Sequence, residues 1–221
     1  MRVDTEKMRA LQEEMAKQIS LDDARPLEEI QLVAGIDIAY HGNEAAAACV
    51  VMRVSDMAVV EKRVSFPVIA VPYTPGFLAF REGPAMCALL EQLEQTPDVV
   101  LVDGHGISHE TKCGLATYIG LKMNIPTIGI AKQLLAGIVK DGRVILRNEH
   151  VGWEIVSREH ARPIFASPGN RVSLATTKAL VEKLLRFPHK MPEPLHIARR
   201  MADKKLRAKA FIISSEEASD S

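Results

Sequence analysis

The chain has 221 residues, and its 28 lysines and arginines balance 28 aspartates and glutamates, so the formal net charge is zero. A composition of 47 % hydrophobic and 25 % charged residues is that of an ordinary soluble globule. The balanced charge argues against nonspecific nucleic-acid binding through bulk positive charge, although a local basic groove is compatible with it. The three cysteines, Cys49, Cys87 and Cys113, are too widely spaced to predict a zinc site or a disulfide framework.

Targeting and domain signals are weak throughout the sequence. No run of eighteen apolar residues occurs, so no membrane span is predicted. Residues 1–7 are charged and lack the apolar core of a signal peptide, so we expect a cytoplasmic protein. No repeat or linker divides the chain, which predicts one domain over residues 1–213, followed by an acidic tail over 214–221 that we expect to be disordered.

The predicted elements begin with a helix over residues 5–18, which Thr5 can cap. Its apolar stripe comprises Met8, Leu11, Met15 and Ile19. Three strands with short connections follow, at about residues 31–40, 45–54 and 57–66. Connections this short predict an antiparallel meander.

Helices and strands alternate in the next part of the chain. A helix at about 77–95 precedes a strand at 97–103, and a helix at 110–123 precedes a strand at 125–130. Further strands and loops are expected over 138–175, and helices over 173–186 and 193–211. The order β-β-β-α-β-α-β is that of the ribonuclease H-like fold, an α/β mixed sheet in which a three-stranded meander joins parallel strands and helices flank the sheet.

Three carboxylates occur where the apolar pattern predicts burial. Asp37 lies inside the first strand, Asp103 ends the strand at 97–103, and Glu82 lies near the start of the helix between them. Buried carboxylates are costly unless they are neutralised, and a divalent metal is the simplest neutralising partner. In the ribonuclease H-like fold these three elements each deliver an acid to one spot. The sequence therefore predicts a Mg²⁺ site with Asp37, Glu82 and Asp103 as ligands.

Each acid also has an ordinary structural explanation. Asp37 could be a buried strand residue that accepts hydrogen bonds from backbone donors. Glu82 could pair with Arg81 or favour the start of the helix electrostatically. Asp103 could cap its own loop through its side-chain oxygens. We expect that one of these explanations holds more readily than that all three hold together.

The loop that follows Asp103 is rich in glycine and histidine. His105 and His109 could each donate to a phosphate or assist proton transfer, or could be loop histidines with ordinary hydrogen bonds. Gly104 and Gly106 would let the backbone approach a ligand closely.

Two further positions indicate contact with nucleic acid. Lys132 directly follows the strand exit, where a lysine can offset charge on a scissile phosphate, unless it is simply a surface lysine. Tyr73 follows Pro72 on a stiff loop that runs to Gly76. A rigid aromatic can enter a base stack and fill the space of an extruded base, although a packed tyrosine at a turn is the alternative.

Six segments carry a resemblance to a known family. They are VAGID at 33–37, PYTPGFLAFREGP at 72–84, VDGHGISH at 102–109, PTIGIAK at 126–132, SPG at 167–169 and PEP at 192–194. Together, and in this order, they resemble the endonuclease V family over about residues 5–200. The string at 72–84 is highly specific, and the others are individually moderate.

The resemblance implies an activity and a cofactor. The family has a ribonuclease H-like fold and uses Mg²⁺ or Mn²⁺ to hydrolyse the second phosphodiester bond on the 3′ side of a deaminated adenine. The products have 3′-hydroxyl and 5′-phosphate ends, and some members prefer inosine in RNA. By position, the metal ligands of the family correspond to Asp37, Glu82 and Asp103. The residues that serve the phosphate correspond to His109 and Lys132. The aromatic wedge that enters the base stack corresponds to Tyr73. Backbone groups of the glycine loops would read the base, and we expect a monomer.

The sequence departs from the family pattern at several positions. Glu110 and Thr111 follow His109, where the family usually has Pro and Arg. Tyr118 replaces a family histidine, and Asn170 replaces the histidine that usually ends the SPG string.

The most consequential departure is Arg199, at a position where the family commonly places His or Asp near the metal. Because a cation cannot ligate Mg²⁺, His196 or Asp203 is expected to substitute, or the second metal position is weakened. The alternative function is therefore a protein that recognises inosine in nucleic acid but cleaves it weakly or not at all. A sugar-kinase or actin-like ATPase is disfavoured, because the first hairpin turn at 41–43 lacks the phosphate-binding residues of that class.

Overall fold

The computed structural model describes residues 4–158 and 161–219. Within these residues the strands are β1 (Leu32–His41), β2 (Glu44–Arg53), β3 (Val59–Ser65), β4 (Val99–Asp103), β5 (Thr127–Ala131), β6 (Ile138–Lys140), β7 (Arg143–Leu146), β8 (Glu149–Ile155) and β9 (Ile164–Asn170). The helices are α1 (Thr5–Ala16), α2 (Leu78–Leu90), α3 (Leu115–Met123), α4 (Leu174–Lys183) and α5 (Glu193–Ser219).

All of these strands belong to one mixed sheet in the order β3-β2-β1-β4-β5-β9-β8-β7-β6. The meander β1–β3 is antiparallel, whereas β1, β4 and β5 are parallel to one another. The predicted α/β fold with a mixed sheet is therefore confirmed. The sequence left open where the later strands belong, and the structure adds them to the same sheet through β9, which pairs antiparallel with β5.

Helices cover both faces of the sheet because alternate residues of a strand face opposite sides. Ala34 and Ile36 of β1 belong to the core cluster under α1, α2 and α3. Val33 of β1 belongs to the cluster on the opposite face, under α4 and α5. Asp37 has the same parity as Val33, so its side chain lies on the face that α5 covers.

Helix α1 differs in detail from its prediction. Its cap is Asp4, whose side chain accepts a hydrogen bond from the Lys7 backbone nitrogen at 3.1 Å, and not Thr5. Leu11 is 45 % exposed, whereas Gln12 is buried. The Gln12 amide donates to backbone carbonyls of Gly76 and Cys113 at 3.1 and 2.9 Å, so hydrogen bonding turns a polar residue inward where the hydrophobic pattern predicts leucine.

The C-terminal part of the chain is helical further than the sequence predicts. Residues 214–219, expected to begin a disordered tail, continue α5, and residues 220 and 221 lie outside the described residues. No helix in the described part of the chain has both the length and the apolar composition that a membrane crossing needs.

Helix α5 lies directly on β1 because Gly35 has no side chain. A Cβ at Gly35 would lie 2.3 Å from the carbonyl carbon of Pro194 and 2.5 Å from the backbone nitrogen of Leu195. Backbone contact this close fixes the beginning of α5 over β1. It therefore determines where Arg199, farther along the helix, meets Asp37 and Ile38 of that strand.

Replacing Gly35 by alanine should lower the melting temperature by several degrees. Overpacking a core typically costs about 1–3 kcal/mol, and each kcal/mol shifts the melting temperature of a chain this size by about 2–4 °C. Thermal unfolding should be compared with Asn43→Ala, an exposed change in the adjoining β1–β2 turn that we expect to be nearly neutral. An unchanged melting temperature in Gly35→Ala would show that α5 does not pack this closely.

Candidate active site

The candidate site lies where the parallel pairing of β1 with β4 ends. Their register pairs Ile36 with Val102, so Asp37 and Asp103 are the next residues on the two strands. Neighbouring strands lie about 4.8 Å apart, and residues paired across them point to the same face. The two carboxylates therefore lie side by side on the α5 face of the sheet.

Asp37 is a buried carboxylate that is only partly satisfied. It is 4 % exposed, and its Oδ1 accepts a hydrogen bond from the Ile38 backbone nitrogen at 2.7 Å. Its Oδ2 has no hydrogen-bond donor among the described residues. Burial, and then the negative charge of Asp103, raise the pKa of Asp37 well above its ordinary value.

Asp103 has a direct cationic partner. The Lys132 ammonium lies 2.6 Å from Asp103 Oδ2 and is itself about half exposed. Because β4 pairs in parallel with β5, the lysine that follows β5 reaches the carboxylate at the end of β4. The structure thus places Lys132 beside the acidic pair, as its position after the strand predicts.

Glu82 approaches the pair from α2 and is held by Tyr40. The Tyr40 hydroxyl donates to Glu82 Oε1 at 2.9 Å, and Glu82 is 7 % exposed. Burial raises the pKa of Glu82 to about 7, with the Asp103 charge adding to the rise and the Tyr40 hydrogen bond opposing it. Tyr40 was not recognised from the sequence, since nothing in strand spacing shows what a hydroxyl at the strand end contacts.

Among residues 4–158 and 161–219, no group of three or more His, Cys, Asp or Glu side chains is placed to hold a metal ion. Asp37 and Asp103 adjoin, whereas Glu82 interacts with Asp103 through charge while its Oε1 accepts the hydrogen bond from Tyr40. The role of Glu82 as a third ligand stays a prediction.

A divalent cation fits the Asp37–Asp103 pair on chemical grounds. Both donors are carboxylate oxygens, the ligands that Mg²⁺ prefers. A buried oxygen without a donor, on a carboxyl group with a raised pKa, is one that an added positive charge would stabilise.

Arg199 already supplies positive charge beside this pair. Its Nη1 lies 3.6 Å from Asp37 Oδ2, and its Nε donates to Asp203 Oδ2 at 3.1 Å. Asp203 is thus engaged with the arginine, and the His196 ring stacks on His189 with 3.5 Å between ring centroids. Neither of the two expected substitutes takes the place beside Asp37, where Arg199 lies instead.

The two histidines of the loop after β4 make hydrogen bonds to the protein. His105 Nε2 lies 3.0 Å from the Gln133 carbonyl. His109 is buried, with Nε2 3.0 Å from the Gly76 carbonyl and Nδ1 3.0 Å from the Thr111 hydroxyl. Burial lowers the pKa of both histidines, so each is neutral at pH 7. His109 links its loop to Gly76, and both of its ring nitrogens are engaged there.

A cavity of about 190 Å³ opens beside this edge of the sheet. The predicted substrate-binding residues Tyr73, Gly76 and His105 line it, together with Gln133, which no motif in the sequence indicates. Tyr73 is 68 % exposed, so a large aromatic side chain projects at the rim of the cavity. Pro72, on the same loop, is also exposed.

The glycines of the loop after β4 serve internal packing. A Cβ at Gly106 would lie 2.0 Å from the Pro168 carbonyl oxygen, and one at Gly104 would lie 3.1 Å from the Leu115 side chain. The space beside Gly106 is therefore filled by β9, whereas the sequence suggested room for a ligand.

Two departures from the family pattern have structural explanations. The Tyr118 ring occupies the space beside Gly83 of α2, where a Cβ would lie 2.5 Å from the ring. The Asn170 side chain donates to the Gly120 carbonyl at 3.2 Å and accepts from the Ser20 backbone nitrogen at 3.2 Å. Both residues stabilise the scaffold around the site.

The sheet order, with one acid inside β1 and another at the end of β4, defines an α/β protein of the ribonuclease H-like class. The Endonuclease V family model matches residues 13–200. The chain belongs to the endonuclease V family, which confirms the resemblance seen in the sequence.

Individual relatives agree with this membership. Endonuclease V of Archaeoglobus fulgidus is 37 % identical over 206 residues, covering 91 % of this chain and 93 % of that protein. The crystal structure of endonuclease V from Streptomyces avermitilis has a TM-score of 0.86 at 29 % identity, covering 95 % of this chain and 96 % of that one. Ciona intestinalis endonuclease V, solved with a 24mer DNA containing an inosine followed by a ribo-adenosine, has a TM-score of 0.83 at 26 % identity, covering 92 % and 98 %.

Proposed function

We propose that this chain is a divalent-metal-dependent endonuclease that cuts DNA at the second phosphodiester bond 3′ to deoxyinosine, leaving 3′-hydroxyl and 5′-phosphate ends. The observation that carries the proposal is the Asp37–Asp103 pair, in which the buried Asp37 has an oxygen that lacks a hydrogen-bond donor among the described residues. Family membership and the inosine-containing DNA bound by the Ciona relative support the choice of substrate. Inosine in RNA is proposed as a second substrate.

Mg²⁺ is the proposed cation, with Mn²⁺ as a substitute, and Asp37 and Asp103 would hold it, with Glu82 as the third carboxylate. When bound, such an ion neutralises phosphate charge and makes a water more acidic. In the metal-free chain burial raises the pKa of Glu82 to about 7, and a bound divalent ion would hold this carboxylate deprotonated.

The remaining site residues are proposed to position the substrate. Lys132 offsets charge that develops on the scissile phosphate. His109 acts through Gly76, whose carbonyl it contacts at 3.0 Å, and so fixes one wall of the cavity. Tyr73, on the loop that also contains Pro72, enters the base stack next to an inosine that turns into the cavity. There, backbone groups of Gly76, His105 and their neighbours form hydrogen bonds with the base.

The assay that tests this function uses matched DNA strands that contain inosine or adenine at one position, and a parallel RNA pair. Cleavage in Mg²⁺ or Mn²⁺ only of the inosine strands, with products that end one nucleotide beyond the inosine, is the expected result. Binding in Ca²⁺ without cleavage in either catalytic metal would overturn the proposal. A monomeric state and a cytoplasmic location stay predictions.

Tyr73→Ala should lower cleavage of inosine DNA at limiting substrate concentration by about tenfold. Stacking of a base on an aromatic side chain is worth about 1–3 kcal/mol, and each 1.4 kcal/mol corresponds to a factor of about ten. Tyr73→Phe keeps the ring and should keep most of the activity. The matched control is Phe187→Ala, since Phe187 is 89 % exposed and lies outside the cavity lining. If Tyr73→Ala were as active as wild type, Tyr73 would not act by entering the base stack.

A further inference from the structure

We propose that Arg199 takes the place of a second cation in the active site, so that this chain works with a single divalent ion on Asp37 and Asp103. The inference rests on the proposed function, and it concerns the number of metal ions and the source of the remaining positive charge.

The contact between Arg199 and Asp37 neutralises charge without occupying the oxygen. Nη1 lies 3.6 Å from Asp37 Oδ2, which is within ion-pair distance but too long for a hydrogen bond. This is the same oxygen that has no donor among the described residues. Its lone pairs therefore stay free to ligate one metal ion while the guanidinium lies beside it.

The guanidinium is anchored to the protein. Its Nε donates to Asp203 one helical turn later at 3.1 Å, and its Nη1 donates to the Ile38 carbonyl at 3.4 Å. The close backbone contact at Gly35 fixes the start of the same helix over β1. An arginine stays charged at every pH at which the enzyme would work, so this positive charge is permanent.

The carboxylates of the site outnumber its cations before any ion binds. Asp37 and Asp203 lie beside Arg199, and Asp103 lies beside Lys132, so three acids face two positive charges. One divalent ion then leaves enough positive charge to meet a phosphate and the negative charge that develops during its hydrolysis. The guanidinium already weakens the binding of one divalent ion on Asp37, and a second divalent ion there would be repelled by the first ion as well.

Arg199 is also placed to contact the substrate. Its side chain is 45 % exposed although it contacts a buried carboxylate, so the guanidinium extends from the acid towards solvent. Guanidinium groups bind phosphate oxygens through charge-assisted hydrogen bonds. A phosphate that approaches the metal on Asp37 would meet Arg199 on its open side.

The test measures Mn²⁺ binding to the chain by electron paramagnetic resonance of the free ion, without nucleic acid. Wild type should bind one Mn²⁺ per chain. Arg199→Gln should bind Mn²⁺ about tenfold more tightly or better, since a neighbouring like charge is removed. Arg199→His, which replaces the cation with a metal donor, should bind a second ion. Arg200→Gln removes the same charge from the next, exposed residue and should leave both stoichiometry and affinity unchanged.

A wild-type stoichiometry of two would overturn the proposal, as would unchanged Mn²⁺ binding in both Arg199 variants. If one of these variants does not fold, the other still tests the role of Arg199. The number of ions bound by the wild-type chain is a test that needs neither variant. Cleavage measured on the same samples should fall in Arg199→Gln at saturating Mn²⁺ and stay unchanged in Arg200→Gln. Wild type that cleaves inosine DNA but binds two ions would refute the role of Arg199 alone, whereas wild type that binds one ion without cleaving would refute the proposed function alone.

Discussion

Asp37→Asn and Asp103→Asn should each abolish metal-dependent cleavage of inosine DNA while the chain stays folded. Losing an outer partner of a metal ligand typically costs about 10–100-fold, so losing a ligand itself should cost more than about 100-fold. Asparagine keeps the size of the side chain and removes the charge that would hold the cation. Cleavage rates at saturating Mg²⁺, with circular dichroism of each variant, check this result.

The matched control for this pair is Asp56→Asn, which removes an exposed aspartate in the turn after β2. It should cleave at the wild-type rate. In the absence of metal, Asp37→Asn should be at least as stable as wild type, because burial and Asp103 both disfavour a charge at that position. If Asp37→Asn or Asp103→Asn cleaved at the wild-type rate, the carboxylate pair would have no part in the mechanism.

Without divalent metal, the wild-type chain should lose stability as the pH rises from about 4.5 to about 7, and Glu82→Gln should reduce that loss. The pKa of Glu82 is about 7 in the folded chain and near 4.5 when unfolded, so the folded state holds the proton through this window. The state that binds more protons is disfavoured as protons are removed, so stability falls with rising pH. A shift of this size corresponds to about 3 kcal/mol.

Melting temperatures measured in a chelator between pH 4.5 and 8 test this dependence. Glu13→Gln, an exposed change on α1, is the control and should follow the wild-type curve. Added Mg²⁺ should flatten the wild-type curve, since a bound cation stabilises the deprotonated carboxylates. Parallel curves for wild type and Glu82→Gln would show that Glu82 is not buried in the way described.

The part of the fold that the sequence predicts well is the part with strong hydrophobic patterns. The buried strands β1, β2, β4 and β5 produce long apolar runs, and their order with the intervening helices determined the fold class. Strands β6 to β9 were harder to place because their pattern is weak; Ile138–Lys140, for example, is exposed throughout. The burial of Gln12 is not predictable from the local sequence, because it depends on hydrogen bonds to carbonyls 64 and 101 residues away.

The candidate site likewise has a part that the sequence predicts and a part that depends on long-range packing. Asp37 and Asp103 could be placed together because the fold class brings their strands to one spot, and Lys132 because it follows a strand exit. The contact of Arg199 with Asp37 spans a long sequence separation and depends on how α5 packs over Gly35, which no local pattern shows. The hydrogen bonds of His109 to Gly76 and Thr111 likewise arise from loop packing, so a role predicted from position in the motif could not foresee them.

Anomalous diffraction from crystals soaked in Mn²⁺ would test the central claim most directly. We expect one strong peak, within a coordination sphere of about 2.0–2.2 Å from carboxylate oxygens of both Asp37 and Asp103. A peak at another site with none between these two residues, or no peak at millimolar Mn²⁺, would contradict the assignment of the β1–β4 edge as the metal centre of this enzyme.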